Sequence, residues 1–120
     1  MDYRPKTIFC DIDGTLVEHQ PPSKMCQPLS KMVLLDGTRE KLMEWDKLGY
    51  RIILTTGRKE SMRATTEKQL SECGIFYDQL IMGIGGGKRI LINDRKTNSQ
   101  EDYAIAINLE RNKGISEVNL

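Results

Sequence analysis

The run Thr7-Ile8-Phe9-Cys10 is β-prone and stops abruptly at Asp11-Ile12-Asp13-Gly14-Thr15. Two carboxylates and a glycine end it, so residues 7–12 read as a first strand that leaves its sheet at an acidic turn. Residues 38–48 follow the helical period, with Leu42, Met43, Trp45 and Leu48 on one broad face and Gly49 at the stop. Residues 50–55 then read as a buried strand turned by Thr56-Gly57-Arg58. Residues 61–73 read as a second helix, its weakly apolar face formed by Met62, Thr66, Gln69 or Leu70, and Cys73, with Gly74 as its stop. Residues 79–82 and 89–93 are strand-like, and residues 103–109 alternate with the period of two of a last strand. Pro21, Pro22 and Pro28 exclude a helix between His19 and Leu35, which leaves an ordered loop or small flap, briefly extended at residues 32–35. The polar tail from Glu110 carries no assignment. Strands alternating with helices predict a single α/β domain over residues 1–120 with a mostly parallel sheet.

Composition narrows the function classes. At 120 residues and 38% hydrophobic content the chain can bury one core. Its net charge of +1 offers no bulk attraction to nucleic acid or membranes, and no nucleic-acid motif is present. No apolar run approaches the ~20 residues of a bilayer span. The polar start Met1-Asp2-Tyr3-Arg4-Pro5-Lys6 has no secretory apolar region, which predicts a cytoplasmic protein. Three cysteines, Cys10, Cys26 and Cys73, and the single His19 fit neither a zinc site nor a disulfide framework. They also make a histidine-based hydrolase a poor fit.

In parallel sheets ligands sit at the carboxyl ends of the strands. That rule gathers Asp11 and Asp13, Thr55, Thr56 and Arg58, and Asn93, Asp94, Arg95 and Lys96 on one edge. Two carboxylates from different strands suit Mg²⁺, which takes oxygen ligands together with substrate phosphate. Asp11 can then attack phosphorus to form an aspartyl-phosphate, while Asp13 protonates the leaving oxygen and later activates water. Gly14 permits the sharp turn, Thr15 can hydrogen-bond within it, and a Thr hydroxyl at the end of the second strand can donate to a phosphoryl oxygen. An isolated Asp-x-Asp-Gly is also an ordinary turn or a calcium loop, but the twelfth position of such a loop is Pro22. The loop Gly83-Ile84-Gly85-Gly86-Gly87-Lys88 matches neither a P-loop nor a dinucleotide fingerprint. Trp45 and Cys10 read as core residues, and His19 as a loop residue near the turn.

These residues resemble the haloacid dehalogenase superfamily. Phe9-Cys10-Asp11-Ile12-Asp13-Gly14-Thr15-Leu16 is similar to its first motif, Ile52-Ile53-Leu54-Thr55-Thr56-Gly57-Arg58 to its second, and Ile90-Leu91-Ile92-Asn93-Asp94 to its fourth. The resemblance implies a three-layer, Rossmann-like fold and a Mg²⁺-dependent phosphatase, with Asp11 as nucleophile and Asp13 as general acid and base. It implies that the metal is held by Asp11, the Asp13 backbone carbonyl and Asp94, and that Thr55 binds the phosphoryl group. Asn93 takes the place of a second acidic residue, and Asn93 or Asn98 is then a candidate for the outer shell. The basic residue of the third motif is missing from Gly83-Ile84-Gly85. Lys88 is the nearest substitute in order, beside Arg89, yet a strand of roughly 17–20 Å separates it from Asp94. Arg58 and Lys96 are the alternatives at strand ends, with Arg58 and Lys88 taken together with Thr55 as the phosphate-binding set.

About forty residues separate Asp13 from Thr55, too few to hold the inserted cap domain of many relatives. The expected site is therefore open, or covered by a neighbouring subunit in a homo-oligomer, with residues 19–35 as a candidate lid. The arrangement is similar to that of small phosphatases associated with surface-polysaccharide synthesis, which makes a sugar phosphate the first substrate expectation. The rival expectation is a non-catalytic phosphate- and Mg²⁺-binding regulatory module, a pseudoenzyme or a receiver-like phosphoacceptor. In receivers, however, the phosphorylated aspartate follows a later strand.

Overall fold

The computed structural model describes residues 2–25, 27 and 30–120. Strands β1 (Thr7–Asp11), β2 (Arg51–Thr55) and β3 (Gln79–Ile81) form one sheet in the order β1-β2-β3, and both pairings are parallel. The helices are the one-turn α1 (Pro22–Met25), α2 (Thr38–Lys47) and α3 (Arg63–Glu72), the last preceded by a 3₁₀ turn at Glu60–Met62. The architecture is the expected Rossmann-like α/β fold with a parallel sheet and no inserted cap among the described residues. No helix is long and apolar enough to cross a membrane among the described residues.

Side chains alternate across the strands, and one face of the sheet carries the core. Cys10, Ile52, Leu54 and Leu80 are buried there in one cluster with Leu42 and Trp45 of α2 and Leu70 of α3. Burial pushes the Cys10 thiol up to about 12, so it behaves as a small apolar group. Phe9 and Ile81, on the opposite face, remain exposed. α2 buries the narrower pair Leu42 and Trp45, and leaves Met43 and Leu48 in solvent. Its end is the expected glycine stop: Gly49 adopts φ 77°, and Tyr50 N–H donates to Trp45 C=O at 3.0 Å. Its start is tied to the acidic turn by the buried Thr38 hydroxyl, which donates to Leu16 C=O at 2.6 Å.

Three expectations change, and one unassigned segment gains a place. The proline segment is not wholly non-helical, because Pro22 opens α1, where a first-turn residue needs no N–H bond. Cys26, Pro28 and Leu29 of that segment lie outside the described residues. Residues 89–93 form no strand: they find no ladder partner, and Ile90 and Ile92 stand 82% and 90% exposed. Residues 103–109 are likewise unpaired, since an alternating pattern makes a strand only when a neighbour accepts its hydrogen bonds. The polar tail, in contrast, returns to the body, and Ile115 and Val118 join the core.

Candidate active site

Register places the first two residues of the site. Asp11 is the partner of Thr55, and Thr55 of Ile81, at the carboxyl end of the sheet. Adjacent strands lie about 4.8 Å apart, so Asp11 and Thr55 stand side by side. The chain then turns tightly. The amides of Thr15, Leu16 and Val17 all donate to Ile12 C=O, at 3.2, 2.9 and 3.1 Å, and Gly14 N–H donates to Val17 C=O at 2.7 Å. Gly14 adopts φ 88°, a conformation L side chains rarely adopt. A Cβ there would lie 3.2 Å from Arg111 Cγ, so the glycine also makes room for a neighbour.

Asp11 is half-buried. The Thr15 hydroxyl donates to its Oδ2 at 3.1 Å, the bond within the turn that the sequence suggests. Burial raises the Asp11 carboxyl above its ordinary value, while Thr15, the Ile12 amide and the Arg89 guanidinium pull it down. Asp13 is held differently. Arg58 Nε and Nη2 donate to its two oxygens at 2.9 and 2.8 Å. Arg58 Nη1 in turn donates to Thr66 and Gln69 of α3 at 3.1 and 2.8 Å. Arg58 is therefore a buried brace between α3 and the acidic turn, not a phosphate anchor facing solvent. The sequence places it at the right strand end, but its guanidinium is committed before any ligand arrives.

Two other arginines stand near the carboxylates. Arg89 acts electrostatically on Asp11, and its Nη2 comes 3.9 Å from where a Gly57 Cβ would be. Arg111 lies against Gly14, and Asn112 N–H donates to Gly14 C=O at 2.8 Å while its side-chain oxygen accepts from His19 N–H. Arg89 was one of several candidates in the sequence. Arg111 was missed, because it sits in a tail whose return to the turn has no local signal. Lys88 is exposed at the root of the glycine loop, and no bond of it to Asp11, Asp13 or Thr55 is found.

Asp94 is not brought to this group. It is exposed, with Oδ1 3.5 Å from Lys96 Nζ. Lys96 lies 5.1 Å over the Tyr103 ring, and the Tyr103 hydroxyl donates to Asp2 at 3.0 Å. Asp94 thus sits by the segment that leads into β1, whereas Asp11 closes β1 at its other end. Asn93 donates to its neighbour Asp94, and Asn98 occupies an exposed turn with φ 64°. Among the described residues no three His, Cys, Asp or Glu side chains stand together as a metal site. The oxygen set implied for Mg²⁺ is incomplete in the single chain.

Fold and site define a class: a parallel α/β protein with a carboxylate pair at the carboxyl edge of its sheet. The chain belongs to the haloacid dehalogenase-like hydrolases, whose family model matches residues 8–113. A chain of the Pnkp1/Rnl/Hen1 complex is similar, 30% identical with a TM-score of 0.57 over 72% of this chain and 30% of its own length. A chain from a structure of the Pnkp1/Rnl/Hen1 RNA repair complex is 28% identical, with a TM-score of 0.55 over 82% of this chain and 28% of its own. This chain spans less than a third of those chains. A target protein from Vibrio cholerae shares the fold at 21% identity, with a TM-score of 0.52 over 77% of this chain and 82% of its own. No curated protein matches the chain.

Proposed function

We propose that the chain is a phosphomonoester hydrolase acting through an aspartyl-phosphate on Asp11. The observation that carries this is the half-buried Asp11 carboxylate beside Thr55, with Oδ2 fixed by Thr15 and Asp13 braced two residues on. With Oδ2 engaged, Oδ1 attacks phosphorus, and the bond to the leaving oxygen breaks. In this reading the Thr55 hydroxyl donates to a phosphoryl oxygen, and Arg89 and Arg111 offset the negative charge gathered there. Asp13 gives a proton to the leaving oxygen and takes one from the water that hydrolyses the intermediate. Both Asp13 oxygens accept from Arg58, so the resting arrangement suits the second half-reaction. In the first, the proton on Asp13 displaces one of those bonds. Mg²⁺ dependence belongs to the same reading, since a cation neutralises the repulsion between phosphate and carboxylate.

The substrate class is a small phosphorylated metabolite, with a sugar phosphate first, on the resemblance to small phosphatases associated with surface-polysaccharide synthesis. The similarity to chains of an RNA repair complex adds a phosphorylated RNA end as a second substrate to test. An open site with Arg89 and Arg111 at its edge accommodates either. Phosphate release is measured on p-nitrophenyl phosphate, a sugar-phosphate panel and an oligoribonucleotide bearing a terminal phosphate. Each assay is run with Mg²⁺, with EDTA and with Asp11→Asn. Turnover that needs Mg²⁺ and vanishes in Asp11→Asn is the expected result. Mg²⁺ binding without turnover on any substrate selects the non-catalytic regulatory module instead.

A further inference from the structure

Three arginines meet the acidic turn, and two of them have tasks. Arg58 is spent on Asp13, and Arg89 acts on Asp11 from the Gly57 side. Arg111 comes in over Gly14 instead. Its Cγ lies 3.2 Å and its Nε 3.8 Å from where a Gly14 Cβ would stand, so its stem covers the residue after Asp13. His19 Cβ lies 3.8 Å from the same point, and the two side chains rise from one spot above a buried glycine. Both are fixed at the backbone. Asn112 N–H donates to Gly14 C=O, and Asn112 Oδ1 accepts from His19 N–H, each at 2.8 Å. Asn112 holds φ 65°, which asparagine adopts more readily than most side chains, and the buried Ile115 and Val118 anchor the tail beyond it. The polar ends, in contrast, are uncommitted. Among the described residues neither the Arg111 guanidinium nor the His19 imidazole has a hydrogen bond or ion pair, although Glu110 and Glu18 are their chain neighbours. With a net charge of only +1, this spot is not the overflow of a basic surface.

We infer that Arg111 and His19 form a subsite for a second phosphate, carried by the leaving group, so that the substrate is a bisphosphorylated metabolite. A guanidinium holds one phosphate through two parallel hydrogen bonds, so the transferring phosphoryl group needs one arginine, and Arg89 stands beside Asp11 for it. Asp13 gives its proton to the leaving oxygen, and Gly14 is the next residue in the chain. Arg111 and His19, rooted on Gly14, therefore stand on the side of the leaving group. Two donors from Arg111 and one from the imidazole match the three free oxygens of a phosphate monoester. A carboxylate offers two, and so does the diester between two nucleotides, which is why the metabolite is preferred to an RNA end. The placement on the leaving-group side rests on the hydrolase reading; the subsite itself does not.

Binding is read apart from turnover, by titration calorimetry on Asp11→Asn with Mg²⁺ present. The ligands are triose, pentose and hexose bisphosphates, each against its own monophosphates, and a dinucleotide with a terminal phosphate against its mononucleotide. At least one bisphosphate is expected to bind roughly ten- to hundredfold tighter than its monophosphates. Adding Arg111→Met, which keeps a stem over Gly14, should abolish that advantage with helical circular dichroism unchanged. Arg111→Lys should restore part of it, because the charge returns without the fork. Lys113→Met, at an exposed position two residues on, should leave the advantage in place. Equal affinities in every pair overturn the inference, as does an advantage that survives Arg111→Met or that Lys113→Met removes equally. An advantage confined to the dinucleotide overturns the assignment to a metabolite. Phosphate release by the wild type is scored separately. Preference for a bisphosphate through Arg111 without any turnover counts against the hydrolase reading alone, and turnover of p-nitrophenyl phosphate without that preference counts against the subsite alone.

Discussion

Replacing Arg58 by Met tests whether the brace is what positions Asp13. The guanidinium makes both hydrogen bonds to the Asp13 carboxylate, and the side chains are only 5% and 13% exposed. Removing one partner of a buried ion pair leaves an uncompensated charge at a cost of about 3–5 kcal/mol. Water can reach Asp13 at its exposed corner, which sets the expected loss at the lower end, about 3 kcal/mol. A domain of this size has about 5–15 kcal/mol in all, so the variant should remain folded with a visibly lower urea midpoint. The assay is urea unfolding at pH 7 and fixed protein concentration, followed by the fluorescence of the single tryptophan, Trp45, which is buried in the core. Asp13→Asn and the double variant complete the cycle, with an expected coupling of about 2 kcal/mol that survives added salt. Single losses under about 1 kcal/mol that simply add would refute the argument that this pair fixes the turn.

The remaining expectations concern the same body. Burial raises the Asp11 carboxyl, so its stabilising contribution is full below the ordinary carboxylate value of 3.8 and is lost as pH rises through the folded value. Asp11→Asn should therefore raise the urea midpoint at pH 7, and the gain should disappear in acid; a lower midpoint at pH 7 contradicts this. The acid limb of kcat/KM should lie above the range of an exposed aspartate, and Arg89→Met should move it further up, since Arg89 pulls the Asp11 carboxyl down. Thr38→Val removes one of the two donors to Leu16 C=O, which keeps Leu35 N–H, and a loss of about 0.5–1.5 kcal/mol is expected in thermal unfolding. Ile115→Ala should cost about 2–4 kcal/mol in the same measurement, whereas a tail lying on the surface would show almost none.

The three strands of the sheet were legible because each carries its signal locally. β1 and β2 are short β-branched runs closed by turn residues, and β2 is bounded by Gly49 before and Gly57 after. The pairing of Asp11 with Thr55 followed from the rule that parallel strands end together. Arg89-Ile90-Leu91-Ile92-Asn93 carries the same local signal and forms no strand, because periodicity reports a preference and says nothing of an available partner. Arg58 was placed at the correct edge with the wrong task. Its partners Thr66 and Gln69 sit on α3, one helical turn apart, and nothing in the turn Thr56-Gly57-Arg58 announces that they face it. Arg111 and the buried Ile115 were illegible for a plainer reason, since a polar tail with three scattered apolar residues has no period to read.

The bond from Asn112 to Gly14 has a consequence for synthesis. The acidic turn emerges from the ribosome early, yet Asn112, Arg111 and Ile115, which press on it and on the loop before α2, emerge about a hundred residues later. Chains fold from the amino end as they are made, and contacts so distant in sequence form last. During elongation the turn that carries Asp11 and Asp13 is therefore a partly supported loop. Nascent chains released before residue 112 can hold the sheet and its helices while their acidic turn lacks its cover.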